Sequence, residues 1–204
     1  MAELDDLPLL YRTPAAWAEA VLARPLALLN DHAHLERKAA NNALSLLHQW
    51  PDSNPPEDWV AVLTSVAKDE AEHLMIVTRL LERRGGKLTR SHKNPYASAL
   101  RGQVRSGQGN RELADRLMVS ALIEARSCER FHLLAQQTGD AELEKLYRSL
   151  WASEHGHYRV FLRLARDVLP PRQVNARWKE MLQAEADIIR QQPPGPGMHS
   201  GVAP

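Results

Sequence analysis

The sequence predicts an all-α fold, arranged as a four-helix bundle with extra helices at its N- and C-terminal ends. Long stretches that are rich in alanine and leucine and poor in glycine alternate with short segments that contain proline or glycine. The long stretches are typical of helices, and the short segments are typical of the turns that separate them. At 204 residues and 44% hydrophobic content, the chain can bury the core of a single domain, which we place at residues 1–192.

Proline and glycine mark the helix ends in the first half of the chain. A threonine and a proline at 13–14 start a short helix, and Pro25 starts a long helix that ends at Pro51. The segment 53–58 supplies a cap, two prolines and first-turn acids to the next long helix, which two glycines at 85–86 bring to an end.

The second half repeats this punctuation after an irregular or partly helical connection. Asn110 is placed to cap a third long helix that ends near Gly139, and Asp140 is placed to cap a fourth. The fourth helix ends before two prolines at 170–171, and a last helix covers about residues 172–191.

Composition limits the class of protein. The net charge is +1, and the single cysteine, Cys128, leaves no intrachain disulfide and fits a reducing compartment. The N-terminal segment lacks a signal pattern, and there is no 18-residue apolar run that would span a membrane. We therefore expect a cytoplasmic protein with no membrane partner. The proline- and glycine-rich residues 193–204 predict a disordered tail.

The most informative pattern is a glutamate followed three residues later by a histidine, because residues three apart share a helix face. The pattern occurs at 70/73, 129/132 and 154/157, and a further glutamate lies one helix before the first and the last pair. Such a set is the ligand inventory of a carboxylate-bridged two-metal site in a four-helix bundle. The candidate metal ligands, which are also the candidate catalytic residues through the metals, are Glu36, Glu70, His73, Glu124, Glu154 and His157.

Each of these six residues interrupts the apolar stripe of its helix, so we predict that all of them point inward. The pair Glu129/His132 does not follow this rule, since Glu129 lies about 140° around the helix from Glu124 and is flanked by Arg126 and Arg130. We therefore predict that Glu129 is solvated and that this third pair is a coincidence.

The negative charge of the four glutamates favours bound metal ions over a buried acidic cluster without them. Four ionised carboxylates buried without compensation would cost several kcal/mol each, whereas two divalent cations would balance them. Carboxylates with one imidazole per metal suit iron, and manganese stays open. We predict that Glu36 and His73 hold one metal, that Glu124 and His157 hold the other, and that the remaining two glutamates bridge them.

A second feature is a basic segment, residues 83–111, which contains no acid. Basic and polar side chains with one tyrosine predict contacts to RNA phosphates, sugars and an unstacked base, although a solvated loop with acidic partners elsewhere remains open. The segment lacks the apolar anchors expected for a membrane substrate. The candidate RNA-binding residues are Arg83, Arg84, Lys87, Arg90, Lys93, Tyr96, Arg101, Arg105 and Arg111.

Four runs carry a family resemblance: HLERKAA at 34–40, KDEAEH at 68–73, IEARSCERF at 123–131 and SEHGHY at 153–158. With these runs, the chain resembles the tRNA 2-methylthio-isopentenyladenosine hydroxylase family, a ferritin-like group of non-haem di-iron monooxygenases. The six-ligand pattern is common to the whole ferritin-like class, and the run at 124–131 is more specific to this family.

The resemblance implies hydroxylation of the isopentenyl side chain of a modified adenosine next to the tRNA anticodon. It also implies two iron ions, molecular oxygen as co-substrate and an external electron donor of the reductase or ferredoxin type. Three alternatives stay open: another ferritin-like di-iron oxidase or peroxidase, an iron-binding protein, and a metal-free helical RNA-binding protein. The carbon oxidised, the electron donor and the oligomeric state do not follow from the sequence.

Overall fold

The computed structural model describes residues 6–202, and helices contain most of these residues. Within this range the only β-type pairing is an isolated bridge between Pro194 and Gly201, and no described helix is both long and apolar enough to cross a membrane. The predicted all-α class is therefore confirmed. The helices are α1 (Ala15–Leu22), α2 (Pro25–Leu47), α3 (Glu57–Arg83), α4 (Pro95–Arg101), α5 (Asn110–Gln137), α6 (Ala141–Val168) and α7 (Pro171–Arg190).

The chain divides into two compact units, and the first of them, Arg24–Lys93, is a hairpin of α2 and α3. The two helices bury apolar side chains along their facing stripes, among them Leu29 on α2 and Leu63 and Val77 on α3. Such amphipathic stripes are what holds a pair of long helices together in water. The hairpin thereby fixes the direction in which the polar members of the same stripes point.

The second unit contains the described parts of Met1–Ala23 and Asn94–Pro204. Its centre is α5, against which α1, α4, α6 and α7 all pack. As a result, all but three of residues 113–135 are buried. A helix that is covered on every side has to satisfy its own polar side chains inside the protein.

Two helix starts differ from the prediction. The backbone N-cap of α1 is Pro14, whose ψ of 150° is extended, and the Thr13 hydroxyl donates to Glu129 rather than capping the helix. The N-cap of α5 is Gly109, with φ +54°, one residue before the predicted Asn110. The predicted cap of α6 is confirmed, since the Asp140 carboxylate accepts hydrogen bonds from two backbone N–H groups of the first turn at 3.0 and 3.1 Å.

Disorder was the wrong prediction for the described part of the tail, residues 193–202. Met198 and His199 are only 0% and 5% exposed, and the carbonyl of Met198 accepts a hydrogen bond from Arg130. His199 also lies within hydrogen-bond distance of Ser127 Oγ, at 3.2 Å. Composition alone misses this order because the partners lie on a distant helix. Residues 203–204 lie outside the described part of the chain.

Candidate metal centre

In the α2–α3 hairpin, three of the predicted ligands come together. Glu36 on α2 and Glu70 and His73 on α3 are 4%, 1% and 8% exposed. His73 Nδ1 lies 3.8 Å from Glu36 Oε2 and 3.7 Å from Glu70 Oε2. One ligand atom from each of the three residues lies within 4.8 Å of the others. We call this group the α2–α3 triad.

A fourth buried side chain orients the α2–α3 triad. His32 is one helical turn before Glu36, is fully buried, and has its Nε2 atom 2.5 Å from Glu36 Oε1. A partner of this kind fixes the orientation of a carboxylate and leaves the second oxygen of Glu36 facing His73.

The α5–α6 pair of the second unit brings together the other three predicted ligands, which we call the α5–α6 triad. Glu124 on α5 and Glu154 and His157 on α6 are 7%, 1% and 7% exposed, and they too offer ligand atoms within 4.8 Å of one another. His157 Nδ1 lies 2.9 Å from Glu154 Oε2. The Cys128 thiol is buried one turn after Glu124. Burial, and then the charges of Glu154 and Glu124, raise the pKa of this thiol well above its usual value.

The composition of the two triads fits a metal. Each triad buries two carboxylates and one imidazole, so one divalent cation would balance its two negative charges. Without such a cation, charged carboxylates in an apolar interior are costly enough to take up protons instead. Oxygen donors with a single imidazole suit iron or manganese better than zinc, which prefers thiolate-rich structural sites.

The structure contradicts the prediction that Glu129 is solvated. Glu129 is 1% exposed, and it accepts hydrogen bonds from the Thr13 backbone N–H at 3.1 Å, the Thr13 hydroxyl at 2.7 Å and the guanidinium of Arg126. The angular argument fails because α5 has no solvent-facing side at this point. Arg126, read as a sign of exposure, is instead the buried partner of Glu129.

Arg126 is the centre of this buried network. Its Nε and Nη2 donate to the two oxygens of Glu185 on α7 at 2.8 and 2.9 Å. Its remaining N–H groups donate to Glu129, to the Thr13 hydroxyl at 3.2 Å and to the Tyr11 carbonyl at 3.0 Å. Burial alone would lower the pKa of Arg126, but its bonds to Glu185 hold that pKa above the usual value.

The structure corrects one member of the proposed RNA contacts. Tyr96 is fully buried and its hydroxyl donates to Glu185 Oε1 at 3.0 Å, so its ring is not open to a base. Burial and the neighbouring Glu185 raise the pKa of the Tyr96 hydroxyl well above its usual value. Sequence reasoning missed this because Tyr96 is in the first turn of α4, a short helix that was not separately predicted.

The basic side chains of the segment differ in their exposure. Arg105 is held by Asp115, with its Nη2 2.7 Å from Asp115 Oδ1, and Arg84 is partly buried. The part of the segment before α4 is fastened to α2, because His92 Nε2 lies 2.6 Å from Asp31 Oδ1 and His92 Nδ1 lies 2.8 Å from Lys38 Nζ. The exposed members of the set are Arg83, Lys87, Arg90, Lys93, Arg101 and Arg111.

An all-α chain with two buried triads of glutamates and histidine is a ferritin-like protein. The comparison with protein families gives its family: the chain belongs to the family described as "tRNA-(MS[2]IO[6]A)-hydroxylase (MiaE)", whose model matches residues 3–200. The predicted family resemblance is therefore confirmed over nearly the whole chain.

Individual relatives agree with this assignment. The chain is 39% identical over 191 residues to the tRNA 2-(methylsulfanyl)-N(6)-isopentenyladenosine(37) hydroxylase of Pseudomonas putida, covering 93% of this chain and 90% of the relative. It is 29% identical over 239 residues to the protein of the same name from Salmonella typhimurium, covering 93% and 86%.

A solved structure supports the fold class. The protein described as "Protein 43 with aldehyde deformylating oxygenase activity" from Synechococcus is similar, with a TM-score of 0.87 and 32% sequence identity. The similarity covers 95% of this chain and 96% of that one. The predicted ferritin-like fold class is thus confirmed.

Proposed function

We propose that this protein hydroxylates the isopentenyl side chain of 2-methylthio-isopentenyladenosine next to the anticodon in tRNA. One observation carries the proposal: a chain matched by this hydroxylase family over residues 3–200 buries two glutamate and histidine triads of identical composition. Both relatives named above are tRNA hydroxylases. A tRNA substrate also implies that the protein works in the cytoplasm.

The proposed cofactors are two iron ions, and their proposed ligands are the six residues of the two triads, Glu36, Glu70, His73, Glu124, Glu154 and His157. When bound and reduced, such a centre supplies the activation of molecular oxygen that insertion into an unactivated C–H bond needs. The two electrons would come from an external donor of the reductase or ferredoxin type.

The chain's own residues prepare the site for this chemistry. His32 holds Glu36 in one orientation through the 2.5 Å contact, so this ligand would not have to be ordered again in each cycle. Apolar side chains next to the ligands, such as Ala33 and Val77 in the first unit and Leu150 and Phe161 in the second, are buried and keep bulk water away. A dry surrounding protects a reactive centre from side reactions.

For the tRNA itself, we propose that the exposed basic side chains of residues 83–111 contact the phosphates of the anticodon loop. Contacts of this kind orient a nucleic acid without reading its sequence. Arg90 and Lys93 are exposed, and the contact of the neighbouring His92 with Asp31 on α2 holds the backbone of this segment in place.

The test is nucleoside mass spectrometry of tRNA from cells with and without the protein, complemented by variants. We expect the hydroxylated nucleoside to disappear, and its isopentenylated precursor to accumulate, when the gene is deleted. Glu70→Ala should fail to restore the hydroxylated nucleoside and should not load iron. Glu72→Ala is the matched control, because Glu72 lies on the same helix and its side chain is 53% exposed; it should behave like the wild type.

An unchanged nucleoside pool in the deletion strain would refute the proposed substrate. A Glu70→Ala protein that still binds two irons per chain and restores hydroxylation would refute the ligand assignment. Purified wild-type protein that takes up no metal would favour the metal-free RNA-binding alternative.

A second candidate activity comes from the Synechococcus neighbour, whose name refers to aldehyde deformylating oxygenase activity. Consumption of an aliphatic aldehyde by the iron-loaded, reduced protein, with tRNA left unmodified, would favour this activity. The exposed basic side chains of residues 83–111 favour the nucleic-acid substrate instead, because an uncharged aldehyde gains nothing from them.

A further inference from the structure

A row of aromatic side chains lies on α5 and α6 outside the proposed metal ligands. His132 on α5 and Trp151 on α6 have ring centroids 4.9 Å apart, and Trp151 and His155 follow at 5.3 Å. His155 then meets Tyr158 edge-on at 6.0 Å. We call these four residues the aromatic row.

The aromatic row is not part of the apolar core. His132, Trp151 and His155 are all partly exposed, whereas Tyr158 is buried and its hydroxyl donates to the Asp6 carbonyl at 3.2 Å. The three partly exposed rings present flat faces to the solvent.

The stretch of α6 around the aromatic row is mainly basic, and Asp6 is an exposed acid close to His155 and Arg159. From Lys145 to Arg166, α6 carries five basic residues, and the one acid in this stretch, Glu154, is buried. Arg148 and Arg159 flank the row at its two ends. The Arg159 guanidinium lies over the Tyr158 ring at 5.5 Å and donates to the Tyr158 hydroxyl at 3.0 Å. The Glu144–Arg148 pair is exposed, so it neutralises Arg148 only weakly.

Next to the aromatic row, Gly156 exposes the backbone of α6 because it has no side chain. This glycine is exposed in the middle of α6, and a Cβ atom added to it would meet nothing within 4 Å. Packing therefore does not require glycine here, although glycine is unfavourable inside a helix. Together with the exposed Ala152 one turn earlier, Gly156 leaves a shallow strip beside the ring of His155.

We propose that the aromatic row, with Arg148 and Arg159, is a stacking surface for unpaired bases of the RNA substrate. Proteins recognise single-stranded RNA loops by stacking splayed bases on aromatic rings and arginine planes, with further cations on the phosphates. Flat rings between two arginines on a mainly basic stretch of α6 provide this combination, whereas the buried core of a protein-binding patch is depleted of charge. The inference rests on the proposed function, since the anticodon loop supplies the unpaired bases.

The test measures binding of a fluorescently labelled anticodon stem–loop RNA to the iron-loaded full chain by anisotropy, without oxygen or reductant. Trp151→Ala should raise the Kd at least about fivefold, because stacking contributes about 1–3 kcal/mol per base. Trp151→Phe keeps a ring and should restore most of the affinity. Trp178→Ala is the matched control: Trp178 is also partly exposed but lies on α7, and its removal should leave the Kd unchanged.

A second variant tests the same surface without removing the ring contacts of Trp151. Gly156→Glu adds a carboxylate where there is free space, so the helix should form and the RNA should bind more weakly. Gly156→Ala should bind RNA like the wild type. If Trp151→Ala and Gly156→Glu both keep the wild-type Kd, or if the wild type does not bind the stem–loop, the stacking surface is wrong.

The two proposals fail separately. If the wild type hydroxylates tRNA and both variants bind RNA with the wild-type Kd, the stacking surface is refuted and the proposed function stands. If RNA binding depends on Trp151 but the wild type hydroxylates no tRNA, the proposed function is refuted and the stacking surface stands. A Trp151→Ala protein with normal Kd but slower turnover with an added electron donor would refute the RNA assignment in favour of a protein partner.

Discussion

Replacing Arg126 by methionine should destabilise the fold by about 3–5 kcal/mol, the usual cost of removing one partner from a buried ion pair. In the structure, Arg126 is fully buried and makes five hydrogen bonds, three of them to the carboxylates of Glu129 and Glu185. The variant would leave these two carboxylates buried without their cation. Thr13 would still donate two hydrogen bonds to Glu129, so the larger part of the loss should arise at Glu185.

The free energy of unfolding is measured by urea denaturation followed by far-ultraviolet circular dichroism. The double variant Arg126→Met/Glu185→Met should be less destabilised than the sum of the two single variants, because it removes the cation and one buried anion together. Arg116→Met is the matched control on the same helix. Its pair with Glu112 lies at the surface and should contribute little to stability.

Two results would refute this reasoning. A loss below about 1 kcal/mol in Arg126→Met would mean that the buried carboxylates do not depend on this guanidinium. Additive losses in the double variant would mean that Arg126 and Glu185 do not interact in solution as they do in the structure.

Three further predictions concern other features. His32→Ala should weaken iron binding about 10- to 100-fold in a chelator competition, because the contact that orients Glu36 is lost; unchanged affinity would contradict this. Burial raises the pKa of the Cys128 thiol, which should therefore stay protonated and react with a thiol reagent at pH 8 only after unfolding; rapid reaction of the folded protein would argue against it. Gly201→Ala should lower the Tm by a few degrees, since its Cβ would fall 1.8 Å from the Gln192 carbonyl oxygen; a wild-type melting curve would speak against the docked tail.

Much of the fold follows from local chemistry that is visible in the sequence. Prolines at 25 and 171 mark the first turns of α2 and α7, and the glycines at 85–86 follow the end of α3 at Arg83. The apolar stripes correctly predict that Glu36 and Glu154 are buried, because side-chain direction on a helix is set by its period. Local propensity and periodicity are sufficient for features of this kind.

The polar network around α5 could not be predicted in the same way. The position of a residue around a helix predicts its exposure only if one face of that helix is in contact with solvent. Most of α5 has no such face, since four helices pack on it. Arg126 and Glu129 look like a surface pair at a spacing of three, and only the positions of Thr13 and Glu185 show that they are enclosed. Alanine content gives no signal either, since α5 has four alanines in 28 residues and α2 has five in 23.

The tail and α4 illustrate the same limit. Met198 is buried although its neighbours are prolines and glycines, because its carbonyl meets Arg130, which is 68 residues away. Tyr96 is buried because its hydroxyl meets Glu185 on α7, which is 89 residues away. Contacts at such separations leave no trace in local composition.

The turn of α5 that contains Glu129 and Arg130 contacts two segments that lie far apart in the sequence. Thr13 donates to Glu129, whereas the Arg130 guanidinium, which lies over the Trp17 ring at 4.3 Å, donates to the carbonyl of Met198, which is synthesised later than the other four residues. A ribosome-bound chain that stops short of residue 198 would carry a cation facing the interior without its acceptor. Folding of the second unit should therefore be completed only after residue 198 has been synthesised, and a chain truncated before that residue should have a less stable α5.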